Sequence, residues 1–225
     1  MTEVVVSWSG GKDSALALYE MQRAGTCRVA ALLTTVTRDY DRISMHGVRR
    51  VLLQQQADAL GIPLHEVFIS KEASNEEYET QLSAALDQYQ TRGITEVVFG
   101  DLFLEDIKTY RDQFLSTRGM TGIYPIWQWD TAATVRRFIE LGFKAVVTCV
   151  DGRVLDGKFA GMTIDLDFLE ALPATVDPCG ENGEFHTFVY DGPNVAQTVP
   201  FTLGESVGRG PFYFRDLVPN PHRKG

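Results

Sequence analysis

Short, nearly continuous apolar runs alternate, over the first two thirds of the chain, with longer segments whose apolar residues recur every three or four positions. The runs cover residues 3–8, 29–35, 64–69, 96–100, 123–126 and 144–150, and their Val, Ile and Thr content suits strands. Helical periodicity follows each of the first five, over residues 15–24, 48–60, 76–92, 104–118 and 131–141. Each of these segments closes on a glycine (Gly25, Gly61, Gly93, Gly119, Gly142), the residue that most readily supplies the left-handed turn beyond a helix. Ser74 with Glu77 spells a capping box at the head of the third. Strands apolar on both faces and separated by helices predict an α/β fold, a doubly wound, mostly parallel, Rossmann-like sheet covered on both sides. Beyond residue 151, glycine, proline and acid become frequent. There the pattern gives one short helix over 167–172 and strands over 184–190 and 212–217, a small C-terminal α+β lobe too short to be expected to fold alone.

Composition narrows the classes. With 225 residues, 44% hydrophobic and 23% charged, the chain has the balance of a folded domain with an appended lobe. Its 21 Lys and Arg stand against 30 Asp and Glu, a net charge of −9, which argues against a protein that grips nucleic-acid backbone. Cys27, Cys149 and Cys179 are scattered, so neither a disulfide framework nor a structural zinc site is expected, and a reducing cytoplasm is the expected setting. The longest apolar runs are strand-sized, so no membrane span is expected. No cleaved leader is expected either, because the motif described next begins at Ser9.

That motif is Trp8-Ser-Gly-Gly-Lys-Asp-Ser14, set where the first strand hands over to the first helix. Backbone N–H groups at a helix N-terminus, loosened by Gly10 and Gly11, form a nest for an anion. Ser9 and Ser14 add hydroxyl donors, Lys12 adds a point charge, and Asp13 is placed to cap the helix or hold magnesium. A Walker A loop is excluded by spacing, since Val6 stands where its first glycine belongs and Asp13 where Ser or Thr should follow the lysine. A dinucleotide fingerprint is absent after the first strand.

Residues 9–14 match the SGGxDS loop and so resemble the PP-loop ATP pyrophosphatases, of the adenine nucleotide alpha hydrolase-like fold. A second stretch, Asp177-Pro-Cys-Gly-Glu-Asn-Gly-Glu-Phe-His-Thr-Phe188 followed by Tyr190-Asp-Gly-Pro193, resembles the C-terminal signature of the diphthine–ammonia ligase (diphthamide synthase) family. Gly100-Asp101, Tyr110-Arg111, Pro125-Ile-Trp127 with Asp130, and Gly161-Met-Thr-Ile-Asp165 extend the resemblance from about residue 4 to residue 193. Asn182 stands where that family more often has a second glycine, and His186 where it has another residue. The resemblance implies ATP and Mg2+ as cofactors. It also implies a reaction in which a substrate carboxylate attacks the α-phosphorus, pyrophosphate leaves, and ammonia displaces AMP to form an amide. The implied acceptor is diphthine on elongation factor 2, or a small carboxylate on another reading, with ammonium as the second substrate. Neither nucleic acid nor membrane is an expected partner, and a homo-oligomer is compatible with the sequence.

On this resemblance, residues 1–150 form the PP-loop ATP-binding domain and residues 151–225 an acceptor-binding lobe packed on it. Ser9, Gly10, Gly11, Lys12, Asp13, Ser14, His46 and Arg111 are the nucleotide-binding candidates, with Asp13 the candidate magnesium ligand. His46 follows the polar loop 37–44 at the second strand's end. Lys12, Asp13, Asp101, Glu181 and Glu184 are the catalytic candidates. Asp101 lies just past a parallel strand's C-terminal end, where open α/β sheets bind ligands. Tyr110, Trp127, Glu181, Glu184 and His186 are the acceptor-binding candidates, because a trimethylammonium group is held by aromatic faces and carboxylates. Residues 156–191 hold eight acids and one base, Lys158, a field that suits a cationic acceptor or ammonium better than a triphosphate. The competing functions are an ATP pyrophosphatase acting on another acceptor, such as a tRNA base, and a non-catalytic ATP-binding module.

Overall fold

The computed structural model describes residues 1–43 and 46–220. Ser44, which closes the polar loop 37–44, and the last five residues of the expected lobe lie outside the described residues. In chain order the elements are β1 (Thr2–Ser7), α1 (Lys12–Ala24), β2 (Cys27–Thr37), β3 (Arg42–Ile43), α2 (Arg50–Leu60), β4 (Leu64–Ile69), α3 (Asn75–Gln90), β5 (Glu96–Val98) and α4 (Glu105–Ser116). There follow β6 (Thr121–Ile123), α5 (Thr131–Glu140), β7 (Lys144–Asp151), a 3-10 turn (Gly157–Phe159), α6 (Leu166–Ala171), β8 (Phe185–Asp191), β9 (Phe201–Arg209) and β10 (Phe212–Pro219). All five glycines expected to close helices adopt positive φ, between 63° and 86°. Ser74 caps α3 by accepting the Glu77 N–H at 3.1 Å, while the Glu77 carboxylate reaches back to Ser70.

The chain divides into two compact units. The first comprises Met1–Ser9, Asp13–Ser44 and Ile62–Gln128, and the second comprises Gly10–Lys12, Met45–Gly61 and Trp129–Gly225. The first holds a parallel sheet in which β1 pairs with β2 and β5, β2 with β4, and β5 with β6, while β3 folds back antiparallel on β2. One face, carrying Val5, Ala31, Leu33, Val67, Val97 and Phe99, packs on Ala85, Leu86 and Tyr89 of α3 and Leu115 of α4. Val4, Val6, Leu32 and Val36 alternate to the other face and are fully buried as well. Burial on both faces is why these strands read as continuous apolar runs. The chain winds from β1 through β2 to β4, then returns to β5 beside β1. The strand order therefore reverses between β1 and β5, the position where open α/β sheets take ligands.

The second unit is built on an antiparallel sheet in the order β8-β7-β10-β9. Phe168 is fully buried there and meets Phe159 and Phe185 edge-on, and Phe138 stacks on Phe143. The run at 144–150 is therefore not a sixth parallel strand. Every residue of β7 after Lys144 is buried, and a strand buried on both faces carries no sign of its direction or its sheet. Consequently a boundary at residue 150 does not describe this arrangement, since β7, α2, α5 and residues 10–12 all belong with the C-terminal sheet. The run at 123–126 gives a strand two residues earlier, because Pro125 offers no N–H for a ladder. Among the described residues no helix is long and apolar enough to cross a membrane, and no disulfide joins the three cysteines.

Candidate active site

The motif loop belongs to both units, and each holds its own share. In the first unit, β1 ends at Ser7 and leads through buried Trp8 to Ser9, whose hydroxyl lies 3.1 Å from that of Ser14 in α1. Gly100, just past β5, is pressed against the first turn of α1. A Cβ there would stand 2.7 Å from the Asp13 carbonyl carbon and 2.8 Å from both its oxygen and the Ser14 nitrogen. The main chain at the end of β5 thus sits flush on the helix N-terminus that offers its N–H groups to an anion.

Asp101 follows directly and is ion-paired with Arg111 of α4, whose guanidinium also lies 4.5 Å from the Phe99 ring centroid. Burial raises the Asp101 carboxyl, Arg111 opposes the rise, and nearby Asp13 adds to it. The nominated catalytic acid and the nominated phosphate ligand are therefore brought together and hold each other. Tyr110 stacks on Phe114 and donates its hydroxyl to Glu79 at 2.8 Å, and burial and that carboxylate push its phenol up to about 12. Trp127 faces Tyr124 edge-on at 5.8 Å. The Lys108 ammonium lies over both rings, 4.6 Å from Tyr124 and 5.7 Å from Trp127, while bonded to Asp112 at 2.5 Å. The aromatic pair in this unit already faces a cation of its own chain. Tyr124 was not among the sequence candidates; its signal is an aromatic residue two positions before Ile126-Trp127 at a strand end.

In the second unit, residues 10–12 are fastened to β8 and α2. The Gly10 carbonyl accepts the Val189 N–H at 2.9 Å and the Gln56 amide at 3.0 Å, and the Lys12 N–H donates to the Thr187 hydroxyl at 3.0 Å. Gly10 has φ +77°, and a Cβ there would meet Leu53 Cδ1 at 2.5 Å and Gln56 Oε1 at 2.9 Å, so only glycine fits. Lys12 is 3% exposed; its ammonium donates to the Cys179 carbonyl and lies 5.5 Å from the Phe185 ring. Thr187 and Gln56 escaped the sequence reading. Gln56 had a legible mark, being a polar residue inside the buried stripe Leu52, Leu53, Ala57 of α2.

His46 and His186 meet in the same unit, with ring centroids 4.7 Å apart, and His46 Nδ1 donates to the Thr187 carbonyl at 3.1 Å. Crowding by the chain lowers His46 to about 4 and His186 to about 3, and Lys12 pushes both the same way. Both imidazoles are neutral at pH 7. In the unfolded chain they take up protons below about pH 6.5. Their contribution to stability is thus complete above that value and is lost as pH falls toward 4, at no more than about 1.4 kcal/mol per pH unit for each ring. Thermal unfolding followed from pH 8 to pH 5 should show a melting temperature that is steady above 6.5 and falls below it. His186→Gln should flatten the fall; an unchanged slope would count against the pair as its source.

The acidic segment closes on Glu184, which is 7% exposed. Its Oε1 accepts the Asp177 N–H and the Asn182 amide, both at 3.1 Å, whereas Oε2 is buried with no hydrogen-bond partner among the described residues. Asp177 in turn accepts the N–H groups of Cys179 and Glu181, at 2.9 and 3.2 Å, which holds residues 177–184 as a turn. Glu181 is half-buried. The Cys179 thiol donates to the Thr131 carbonyl at 3.2 Å, a tether that does not activate a nucleophile. Among the described residues no group of three His, Cys, Asp or Glu side chains is disposed to hold a metal ion.

Compared with known protein families, residues 2–122 match the diphthamide synthase N-terminal domain and residues 130–202 match the diphthamide synthase C-terminal domain. A comparison with curated proteins gives no match.

Proposed function

The chain belongs to the diphthamide synthase family, and from that premise we propose an ATP-dependent carboxylate–ammonia ligase that amidates diphthine on elongation factor 2. The substrate carboxylate oxygen attacks the α-phosphorus of ATP, the bond to the bridging oxygen breaks, and pyrophosphate leaves; Asp13 would hold a magnesium ion that neutralises its charge. Ammonia then attacks the acyl carbon, AMP departs with the electron pair, and the nitrogen gives up one proton to leave the amide. Atoms balance with one ATP and one ammonia consumed per amide formed.

The observation that carries this reading is the fixed course of residues 10–12, held by Gln56, Thr187 and Val189 as they enter α1. A loop fastened this way presents its N–H groups without reorganisation, which is the main service a protein gives to phosphoryl chemistry. Lys12 neutralises the leaving pyrophosphate, and Ser9 and Ser14 add donors. Arg111 answers the α-phosphate, with Asp101 setting its orientation. Glu184 supplies the second half-reaction: its unpartnered Oε2 attracts ammonium and takes the proton that makes ammonia nucleophilic. The two histidines stay neutral and shape the loop's surroundings.

Incubation with ATP, ammonium and elongation factor 2 bearing diphthine should yield AMP, pyrophosphate and an acceptor whose mass shows a carboxylate exchanged for an amide. ADP and phosphate would exclude this chemistry. Tight ATP binding with no turnover on any acceptor would leave an ATP-binding module in its place.

A further inference from the structure

The hairpin β9–β10 lies far along the chain from the motif loop, and its outer strand has properties the proposed activity does not use. Among the described residues β9 is the last strand of its sheet, paired with β10 alone. Apart from Phe201 and Gly204, each of its nine residues is exposed, including Leu203 at 48% and Val207 at 38%. A long open edge invites another strand, and soluble proteins usually guard it with charge, proline or a bulge. Here the guard is peculiar: Glu205 and Arg209 stand on the same face, equally spaced on either side of Val207.

The hydrogen-bond phase of the edge follows from the turn. Gly210-Pro211 is a two-residue connection with Gly210 at φ +59°, which makes Arg209 and Phe212 a bonded pair. Alternation then gives Val207–Phe214 the same status and turns the N–H and C=O groups of Ser206 and Gly208 outward. A shift in register between Arg215 and Leu217 ends this regular stretch. The open template is therefore the five residues from Glu205 to Arg209.

We propose that two copies of the chain associate by antiparallel pairing of β9 with itself, about a two-fold axis through Val207. In that register Ser206 of one copy is opposite Gly208 of the other, and each such pair exchanges two backbone hydrogen bonds. Val207 meets its own symmetry mate. Glu205 faces Arg209 of the second copy and Arg209 faces its Glu205, two opposite-charge pairs flanking an apolar contact. A guard made of like charges would repel itself in this arrangement, whereas Glu205 and Arg209 complement each other across the two copies.

The test is the mass of the full chain by light scattering on a sizing column and by sedimentation at several concentrations. The parent should be a dimer at tens of micromolar, Glu205→Arg and Arg209→Glu should each weaken it at least tenfold, and the double exchange E205R/R209E should restore it. High salt should weaken the parent and the double variant alike. A parent that is monomeric throughout, single reversals that leave the dimer intact, or a double exchange that fails to restore it would each overturn the proposal. Circular dichroism of the single variants separates loss of pairing from loss of fold.

Discussion

Gly100→Ala should reduce ATP-dependent pyrophosphate release about a hundredfold or more, since angstrom-scale misplacement near the reacting groups costs that much. The crowding is main chain against main chain. A Cβ at residue 100 would lie inside contact distance of three backbone atoms of Asp13 and Ser14, and no rotamer change can relieve it. The first turn of α1 must back away from β5, and the N–H groups meant for phosphate lose their aim. Overpacking of one methyl group costs about 1–3 kcal/mol, so the melting temperature should fall by about 10 °C or less. Steady-state turnover, ATP titration calorimetry and thermal unfolding, measured together, distinguish the two effects. Full turnover with a normal affinity for ATP would show that the first turn of α1 does not hold the phosphates.

Glu184→Gln should leave ATP binding near the parent value and lower amide formation about 10²–10⁴-fold, the range for losing a general base. Glutamine can keep a carbonyl oxygen where Oε1 accepts from Asp177 and Asn182, so the turn at 177–184 persists. What disappears is the charge at the buried, unpartnered oxygen, replaced by an amide nitrogen with two donors to satisfy. Leaving such donors unsatisfied costs about 1–3 kcal/mol, a measurable but survivable loss. The diagnostic is uncoupling: the KM for ammonium rises, while AMP and pyrophosphate still form as the activated acceptor is lost to water. If ammonium dependence and amide yield match the parent, the role given to Glu184 is wrong. Glu184→Ala is the harsher control, because it also releases the Asp177 N–H.

Much of this was legible because it repeats. Strand, periodic helix and glycine cap recur five times, and the parallel sheet follows from that rhythm. The motif loop was legible for a different reason: few sequences put two glycines, a lysine and two serines at a strand–helix junction. What the sequence concealed depends on partners distant in the chain. β7 is apolar throughout, and nothing in such a run tells a parallel from an antiparallel neighbour. β9, with Gly204, Gly208 and two charges, is too exposed to show alternation. Thr187 matters only because its hydroxyl meets a backbone N–H 175 residues away. Tyr110 and Trp127 read in the sequence as aromatic faces for a substrate cation; within the chain Tyr110 stacks on Phe114 and Trp127 lies under the Lys108 ammonium. Asp101 and Arg111, ten residues apart with nothing in the sequence to couple them, form one ion pair.

The allotment of the motif loop, with Ser9, Asp13 and Ser14 in one compact unit and residues 10–12 in the other, bears on how such a protein can be cut and recombined. A gene fragment ending near residue 150 would encode every letter of the loop yet omit the strand that carries Thr187 and Val189. The Gly10 carbonyl and Lys12 amide would lose those tethers, and the loop would survive as text without its shape. The shape of residues 10–12 is therefore no portable cassette: a graft of the loop must carry β8 along with it.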